Sequence, residues 1–491
     1  MLHNQFEESY TMKSSARLSL TTLALALQIA AAHAQELRST LADQREVAVT
    51  IYNEDLALVK DLRRVQLPAG SSALAFRDVS ARMRPETALL RSITAPSGLT
   101  VWEQNFDFDL LTPQKLLEKY VGQTVQVVRT NPTTGQDTAE SATVLAATEG
   151  VVLKIGQRIE TGLPGRLVFG EVPANLRDRP TLVMSVDNTS AAAQDVELSY
   201  LTGGLSWKAD YVVELGAKED KLDVSGWVTL TNTSGATYRN AKLQLVAGDV
   251  NQVQPDLAGR TRNLAMAAPA MVMEKRGVAE ESLFEYHLYT LARPTTVAEN
   301  QTKQVALLSA TAVPARKELL LKGSDYYYQS SQGSLGQKIK VAVYLEFDNK
   351  EAARLGMPLP KGVVRVYKKD AAGNAQFIGE DRIDHTPKNE TVRLKLGDAF
   401  DVTADKKQTD FKKLSGTGKY NYVMESAYEI VLKNAKKEPV VVTVQEPMPG
   451  EWQIMSTSHP ATKGSSNTSV WKIAVPAESS TTLTYRALVK F

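Results

Sequence analysis

Apolar and polar residues alternate along most of this chain, and a period of two fits a β-strand rather than a helix. The pattern is clear in REVAVTIYNEDLALVKDLRRVQLPAG (45–70), where Asn53-Glu54-Asp55 and Pro68-Ala69-Gly70 supply turns. Such alternation predicts antiparallel strands with one buried face and one solvated face. The apolar positions that define the buried face are Val47, Val49, Ile51, Leu56, Leu58, Val65 and Leu67.

A strand that ends in Asn, followed by a polar turn and a returning strand, recurs along the chain. Asn tolerates the left-handed backbone conformation, and its side chain can close a turn locally. Repeated units of this kind favour immunoglobulin-like β-sandwiches. We therefore predict a mainly all-β protein of several antiparallel sandwich modules. The four stretches are LVMSVDNTSAAAQDVELSYL, WVTLTNTSGATYRNAKLQLV, VAVYLEFDNKEAARLG and YEIVLKNAKKEPVVVTVQEP.

A short helix interrupts the strands at LTPQKLLEKYVG (111–122). Thr112 suits the N-cap, Pro113 suits the first helical position, and Gly122 ends the helix. Short strands follow in TVQVVRT, SATVLAA, GVVLKI and QRIE, so we predict a small SH3-like or Sm-like barrel inserted at 110–165.

These patterns predict five segments. They are a signal peptide at 1–34, an N-terminal β domain at 35–109, the inserted barrel at 110–165, a β-sandwich at 170–330 with a long loop at 255–282, and a C-terminal β-sandwich at 331–491. The loop is rich in Ala and Met and has no stable period.

The N-terminal segment has the layout of a secretory signal peptide. From Met12, which we take as the true start, Lys13 and Arg17 precede an apolar run that ends in Ala32-His33-Ala34. We expect cleavage before Gln35 and a periplasmic or secreted protein; a short N-terminal anchor helix is the alternative. The chain has no cysteine, so its stability has to come from packed cores rather than disulfides.

Charge and hydropathy argue against a nucleic-acid-binding protein and against a protein with further membrane helices. With 57 basic and 55 acidic residues the chain lacks the basic footprint of a nucleic-acid-binding protein. No later apolar run is long enough for a membrane helix. The strand TLTYRALVKF ends in an aromatic residue, as outer-membrane barrels do, but the helix and long polar insertions favour sandwiches. We predict a protein that is not integral to a membrane.

The stretch LSYLTGGLSWKADY (198–211) looks like a motif because of its paired glycines and aromatic residues. Gly203-Gly204 is typical of a two-residue hairpin turn. Trp207 and Tyr211 share a strand face, and a buried Trp commonly organises a sandwich core. We interpret the stretch as a hairpin with a Trp-centred core rather than as a site.

Several stretches together resemble the exported bacterial family of unknown function that includes the mucoidy inhibitor A proteins. They are TIYNEDLALVKDLR, LSYLTGGLSWKADY, GWVTLTNTSGATYRNAKLQLVAGDV, FEYHLYTL and IGEDRIDHTPK. The resemblance implies an exported β-rich protein and, in one branch, a negative influence on a mucoid, capsule-like state. It provides no catalytic residues.

Three adjacent tyrosines are the first candidates for ligand binding. Tyr326, Tyr327 and Tyr328 stand beside a Ser- and Gln-rich stretch, and an exposed Tyr can stack on a ligand while its hydroxyl forms hydrogen bonds. The alternative is an edge strand in which Tyr327 is buried and its neighbours are half covered.

Two histidines and one glutamate are the second group of candidates. Glu285 and His287 share a face if FEYHLYTL is a strand, which fits a ligand-binding pair or a simple structural pair. His385 precedes Thr386-Pro387 and fits either a site or a turn. No spacing of ligand residues predicts a metal, and nothing in the sequence predicts a cofactor.

The sequence contains no complete motif for a catalytic nucleophile and no complete phosphate-binding loop. We therefore predict a non-enzymatic cell-envelope protein that binds an envelope polysaccharide or an envelope protein. The alternative is a periplasmic glycan hydrolase, for which Asp107, Asp109, Glu380 and Asp381 supply carboxylates.

Overall fold

The structure is a computed structural model that describes residues 36–53, 55–173, 176–248, 250–252, 278–416 and 420–491. The predicted signal peptide and most of the predicted loop at 255–282 lie outside these residues. The first fifteen strands are β1 (Glu36–Ser39), β2 (Gln44–Tyr52), β3 (Ala57–Gln66), β4 (Gly70–Arg77), β5 (Leu89–Ser92), β6 (Leu99–Asp107), β7 (Thr124–Thr130), β8 (Asp137–Ala146), β9 (Val152–Ile155), β10 (Arg158–Thr161), β11 (Arg166–Val168), β12 (Thr181–Asn188), β13 (Ala193–Thr202), β14 (Leu205–Leu215) and β15 (Lys221–Asn232).

Fifteen further strands and one α-helix complete the described elements. The strands are β16 (Tyr238–Ala247), β17 (Val278–Leu283), β18 (Tyr286–Leu291), β19 (Thr295–Val297), β20 (Gln301–Lys322), β21 (Ser334–Asp348), β22 (Gly362–Lys369), β23 (Ala375–Ile383), β24 (Thr391–Ser415), β25 (Tyr422–Asn434), β26 (Val440–Pro447), β27 (Glu451–Thr457), β28 (Ala461–Ser465), β29 (Thr468–Val475) and β30 (Ser479–Lys490). The helix is α1 (Pro113–Lys119), and short 3₁₀ turns lie at Leu41–Asp43, Pro85–Thr87, Asp325–Tyr328 and Glu351–Ala353.

The strands form four sheets, which confirms the predicted all-β, multi-sheet fold. A four-stranded sheet has the order β1-β4-β12-β6, and an eight-stranded sheet has the order β17-β18-β16-β2-β3-β13-β5 with β19 beside β16. The largest sheet has thirteen strands in the order β23-β22-β14-β15-β20-β21-β24-β25-β30-β27, with β26, β28 and β29 joined through β20. Strands from before and after the insertion share sheets, because β12 lies between β4 and β6.

Three long strands run through two hydrophobic cores. Along β20, Val313 belongs to the first core and Leu319 to the second; β21 and β24 also contribute to both. The first core extends from β2 to β24, and the second lies in the C-terminal sandwich. The two sandwiches therefore share continuous strands at their junction.

The insertion has its own small core. Thr112 caps α1 by accepting a hydrogen bond from the Lys115 N–H at 3.1 Å, and Gly122 after the helix has φ +84°, as predicted. Leu117 of α1 and Tyr120, which directly follows the helix, pack on a five-stranded antiparallel sheet of order β10-β9-β8-β7-β11. This sheet is open rather than a closed barrel, because β10 and β11 do not pair with each other.

The glycine pair forms a corner between sheets, so the predicted hairpin is wrong. β13 pairs with β3 and β5, whereas β14 pairs with β15 and β22. Gly204 has φ +80°, and a Cβ there would lie 2.5 Å from the Ser234 Cα, so the corner requires glycine. Trp207 is buried beside Tyr289, as the Trp-centred core predicts, while Trp227 on β15 remains 40% exposed.

The recurring Asn residues are all buried at the ends of their strands. The side-chain amides of Asn188, Asn232, Asn349 and Asn434 each donate hydrogen bonds to two or three backbone carbonyls of neighbouring segments. This confirms the prediction that Asn closes these turns, and it adds that each side chain also connects its turn to a segment distant in sequence.

Candidate functional site

The three adjacent tyrosines point in three different directions. Asp325–Tyr328 is a 3₁₀ turn between β20 and β21, and each residue of such a turn rotates by about a third of a circle. Tyr328 is therefore fully buried, Tyr327 is half-buried, and Tyr326 is 52% exposed. The edge-strand alternative is wrong because the segment is not extended.

Tyr326 and Tyr327 form an aromatic pair at the surface. Their ring centroids are 4.6 Å apart, with the planes inclined at 70°. The following residues, Gln329, Ser330 and Ser331, are exposed. We call Tyr326, Tyr327 and these three residues the tyrosine surface; it combines ring faces with amide and hydroxyl groups.

A buried ion pair lies beneath Tyr327. The Lys406 Nζ on β24 lies 2.6 Å and 2.7 Å from the two carboxylate oxygens of Glu446 on β26. The two side chains are 3% and 0% exposed. The Lys406 Nζ also lies 4.2 Å from the Tyr327 ring centroid, so this ring separates the ion pair from solvent.

Tyrosine hydroxyls surround the same carboxylate. The Tyr328 hydroxyl donates to the Glu446 Oε2 at 3.1 Å and lies 2.9 Å from the Tyr485 hydroxyl. Burial raises the pKa of both Tyr328 and Tyr485 well above the usual range. Burial also lowers the pKa of Lys406, against the opposing effect of Glu446. The cluster is therefore shielded from solvent, and its hydroxyls stay protonated at neutral pH.

Gln408 fixes the tyrosine turn to the sheet. Its amide nitrogen donates to the Tyr327 carbonyl at 3.2 Å, and its amide oxygen accepts from the Gln332 N–H at 2.6 Å. The Tyr428 hydroxyl donates to the same Tyr327 carbonyl at 2.6 Å. Burial raises the pKa of Tyr428 to about 12, so this donor is present at neutral pH. The tyrosine surface is thus held by side chains of β24 and β25.

Glu285 and His287 do not form the predicted pair. Glu285 lies in the turn between β17 and β18, next to Phe284 with φ +58°, because the hairpin reverses there. The His287 Nδ1 instead lies 2.7 Å from the Glu280 Oε1 across the hairpin. The histidine therefore has a carboxylate partner from the neighbouring strand.

His385 lies in the segment between β23 and β24, as a turn residue would. Its Nδ1 accepts from the Lys361 N–H at 3.3 Å, and its Nε2 lies 3.4 Å from the Asn53 Nδ2. These contacts connect the turn after β2 with the segment before β22. None of these contacts joins His385 to the tyrosine surface or to His287.

The acidic residues considered for glycan hydrolysis have separate basic or backbone partners. Asp107 accepts from Arg177 at 2.9 Å, and Asp109 lies 3.1 Å from the Lys119 Nζ. Glu380 is 3.2 Å from Arg365. Asp381 accepts hydrogen bonds from the backbone N–H groups of Arg382 and Lys395. The hydrolase alternative stays a prediction, with no observation in its favour.

Metal-binding groups and membrane helices are also absent from the described part of the chain. There, no three His, Asp or Glu side chains converge as metal ligands would. None of the described helices has the length and hydrophobicity needed to cross a membrane.

Comparison with protein families identifies the C-terminal three fifths of the chain. Residues 196–491 match the model of the Domain of unknown function (DUF4139). The chain belongs to the DUF4139 family. The comparison with curated proteins gave no match.

The DUF4139 match begins within β13 and contains Trp207 with Tyr289, the Glu280–His287 pair, His385 and the whole tyrosine surface. The inserted module and β1 to β12 lie before it. The candidate binding surface is thus part of the DUF4139 region rather than of the preceding segment.

Lys406 and Glu446 were not among the residues predicted from the sequence. Val402 and Ala404 are buried along β24, and Lys406 continues their inward face; Val442 and Val444 do the same for Glu446 on β26. A charged residue at an inward position of an alternating strand is the signal that would have identified both.

Proposed function

We propose that this DUF4139 protein is a non-enzymatic, exported protein of the cell envelope that binds an envelope polysaccharide through the tyrosine surface. The observation that carries the proposal is the exposed Tyr326 ring, which is paired with Tyr327 and adjoins three exposed polar residues. Aromatic rings stack on the apolar faces of sugars, and amides and hydroxyls bond sugar hydroxyl groups. The alternative is that the tyrosine surface binds an envelope protein instead of a polysaccharide.

Preorganisation supports the same proposal. The Tyr327 backbone is held by Gln408 and Tyr428, and its ring lies against Lys406. A ring held in place loses little conformational entropy when a ligand binds, so even a small contact area contributes to affinity. The cluster beneath the ring thereby has a role that does not require catalysis.

Binding of glycans tests the proposal. The purified protein is mixed with peptidoglycan sacculi in a cosedimentation assay and with hyaluronate, an acidic polysaccharide, in a calorimetric titration. We expect binding to at least one of them and about tenfold weaker binding for Tyr326→Ala, since one aromatic contact contributes about 1.4 kcal/mol. Phe284→Ala is the control, because Phe284 is also an exposed aromatic residue, 84% exposed against 52% for Tyr326, but lies in another hairpin.

Two results would contradict the proposal. One is equal binding by the wild-type protein and Tyr326→Ala. The other is no binding to either glycan together with no envelope protein captured in a crosslinking pulldown. Capture of an envelope protein that depends on Tyr326 would support the protein-binding form instead.

We also propose that the protein acts as the mucoidy inhibitor A branch does, lowering the amount of capsule-like polysaccharide. The resemblance of the quoted stretches supports this, and polysaccharide binding offers a physical route. Deletion of the gene should increase cell-associated polysaccharide, and Tyr326→Ala should fail to restore the wild-type amount. An unchanged amount after deletion would refute it.

A further inference from the structure

The Lys406–Glu446 pair differs from the other Lys–carboxylate pairs among the described residues by being completely buried. The Lys317–Glu219 contact, for comparison, has side chains that are 31% and 26% exposed. The strands of Lys406 and Glu446, β24 and β26, are not hydrogen-bonded neighbours, so the pair spans the second core. Burying two charges in this way is unfavourable because both lose their hydration, and their mutual attraction has to offset that loss.

The geometry places the amine next to the carboxyl carbon. With contacts of 2.6 Å and 2.7 Å to the two carboxylate oxygens, the Lys406 Nζ lies within about 3 Å of the Glu446 Cδ. Reacting atoms at this separation have the proximity of a near-attack arrangement. Gly323 faces the same carboxylate: a Cβ there would lie 2.1 Å from the Glu446 Oε2. Any side chain at position 323 would therefore clash with this carboxylate.

We propose that Lys406 and Glu446 form an intramolecular amide bond in the folded protein. One proton moves from the Lys406 ammonium to the Glu446 carboxylate, which leaves a neutral amine and a carboxylic acid. The Nζ then attacks the Cδ, and the bond between the Cδ and the Oε1 breaks. The Oε1 takes a second proton from the Nζ and leaves as water, so the reaction is a condensation without a redox change.

The neighbouring side chains suit this reaction. The Tyr328 hydroxyl donates to the Oε2, the oxygen that is retained, and it stabilises the negative charge that develops there. The Tyr485 hydroxyl lies 2.9 Å from Tyr328 and orients it. Desolvation favours the neutral form of a lysine, which is the nucleophilic form. The amide replaces two buried charges with a neutral group that can keep its hydrogen bond to Tyr328.

The mass of the intact wild-type protein tests the proposal without any variant. We expect the measured mass to be lower, by the mass of one water molecule, than the mass calculated from the amino-acid sequence of the same chain. Tryptic digestion should leave the chain uncut after Lys406 and should yield one branched peptide that contains both Lys406 and Glu446. Lys406→Arg, which keeps the positive charge but offers a guanidinium, should have the full mass and migrate more slowly in denaturing gels.

Full mass of the folded wild-type protein, with separate peptides for Lys406 and Glu446, would overturn the proposal. Loss of water that maps elsewhere, such as to an aspartyl succinimide, would overturn it as well. The partly exposed Lys317–Glu219 pair is the control within the same digest, because it should remain unlinked. The outcome is independent of glycan binding, so each proposal can fail alone.

Discussion

Asn232 and Asn434 close their two corners in the same way, although they belong to different sandwiches. The Asn232 Nδ2 donates to the carbonyls of Ala236, Val297 and Ala298, and the Asn434 Nδ2 donates to those of Glu438, Val475 and Pro476. In each case one acceptor lies four residues ahead and two are consecutive residues of a later segment. The same corner has therefore been built twice.

Replacement of the Asn434 amide should destabilise the C-terminal sandwich. Asn434→Asp keeps the shape but places a carboxylate oxygen against three carbonyl oxygens. We expect the free energy of unfolding to fall by about 2–4 kcal/mol, measured by urea denaturation. Asn251→Asp, at an exposed position, is the control and should change little. Equal stability of the two variants would mean that the corner is not held by Asn434.

Two tryptophans offer a matched comparison of buried and exposed positions. Trp207 is 4% exposed and packs on Tyr289, whereas Trp102 on the edge strand β6 is 74% exposed. Trp207→Ala should lower the free energy of unfolding by about 3–5 kcal/mol, and Trp102→Ala by less than about 1 kcal/mol. Urea denaturation measures both. A stable Trp207→Ala protein would refute the Trp-centred core.

Glu219 should make stability depend on acid pH. Burial raises its pKa, but hydrogen bonds and attraction from Lys317 and Lys368 outweigh burial and lower the pKa from 4.5 to about 2. A carboxylate with a lowered pKa in the folded state stabilises the fold above pH 4.5, and the contribution is lost as the pH falls toward 2.

Glu219→Gln should therefore have a lower melting temperature than the wild-type protein at neutral pH. The difference should shrink from pH 4.5 downward and vanish near pH 2. Thermal denaturation followed by circular dichroism at a series of pH values measures it. The exposed Glu149→Gln is the control. A difference that is constant with pH would show that the two lysines do not act on Glu219 in the folded state.

Removal of the inserted module should leave the remaining sheets intact. Asp107 already pairs with Thr181 across β6 and β12, and Leu110 bridges to Arg177, so the ends of the insertion are adjacent. A protein in which 112–176 is replaced by a short Gly-Ser turn should keep its β-sheet circular dichroism and a cooperative unfolding transition. Loss of either would show that the insertion supports the sandwich.

The periodicity of the sequence predicted the strands and most of their buried faces, because both depend on local alternation. The terminal strand shows this: Leu483, Tyr485, Ala487 and Val489 are all buried. Leu58 is an exception, since its neighbours Ala57 and Val59 face the core on β3 instead. Alternation does not identify the partner of a strand, so the corner at Gly204 was predicted as a hairpin. The choice of partner depends on contacts between residues far apart in sequence.

The candidate site was predictable only in part. The three adjacent tyrosines in the sequence indicated where the site lies. They did not indicate which ring is exposed, because a 3₁₀ turn and an extended strand expose different members of a triplet. The buried pair beneath it joins residues 406 and 446, and single residues at that separation carry no mutual signal in one sequence. The contact of His287 with Glu280 rather than Glu285 was likewise not predictable, because pairing across a hairpin depends on the register of its two strands.

The three strands shared by both cores have a mechanical consequence. Because β20, β21 and β24 continue from one sandwich into the other, no linker separates the two, and a relative rotation would have to break cross-strand hydrogen bonds. A mechanical load applied at the tyrosine surface, for instance by a tethered polymer, would be transmitted along these strands to the first core, which contains Trp207. We therefore expect the two sandwiches to move as one rigid body rather than about a hinge.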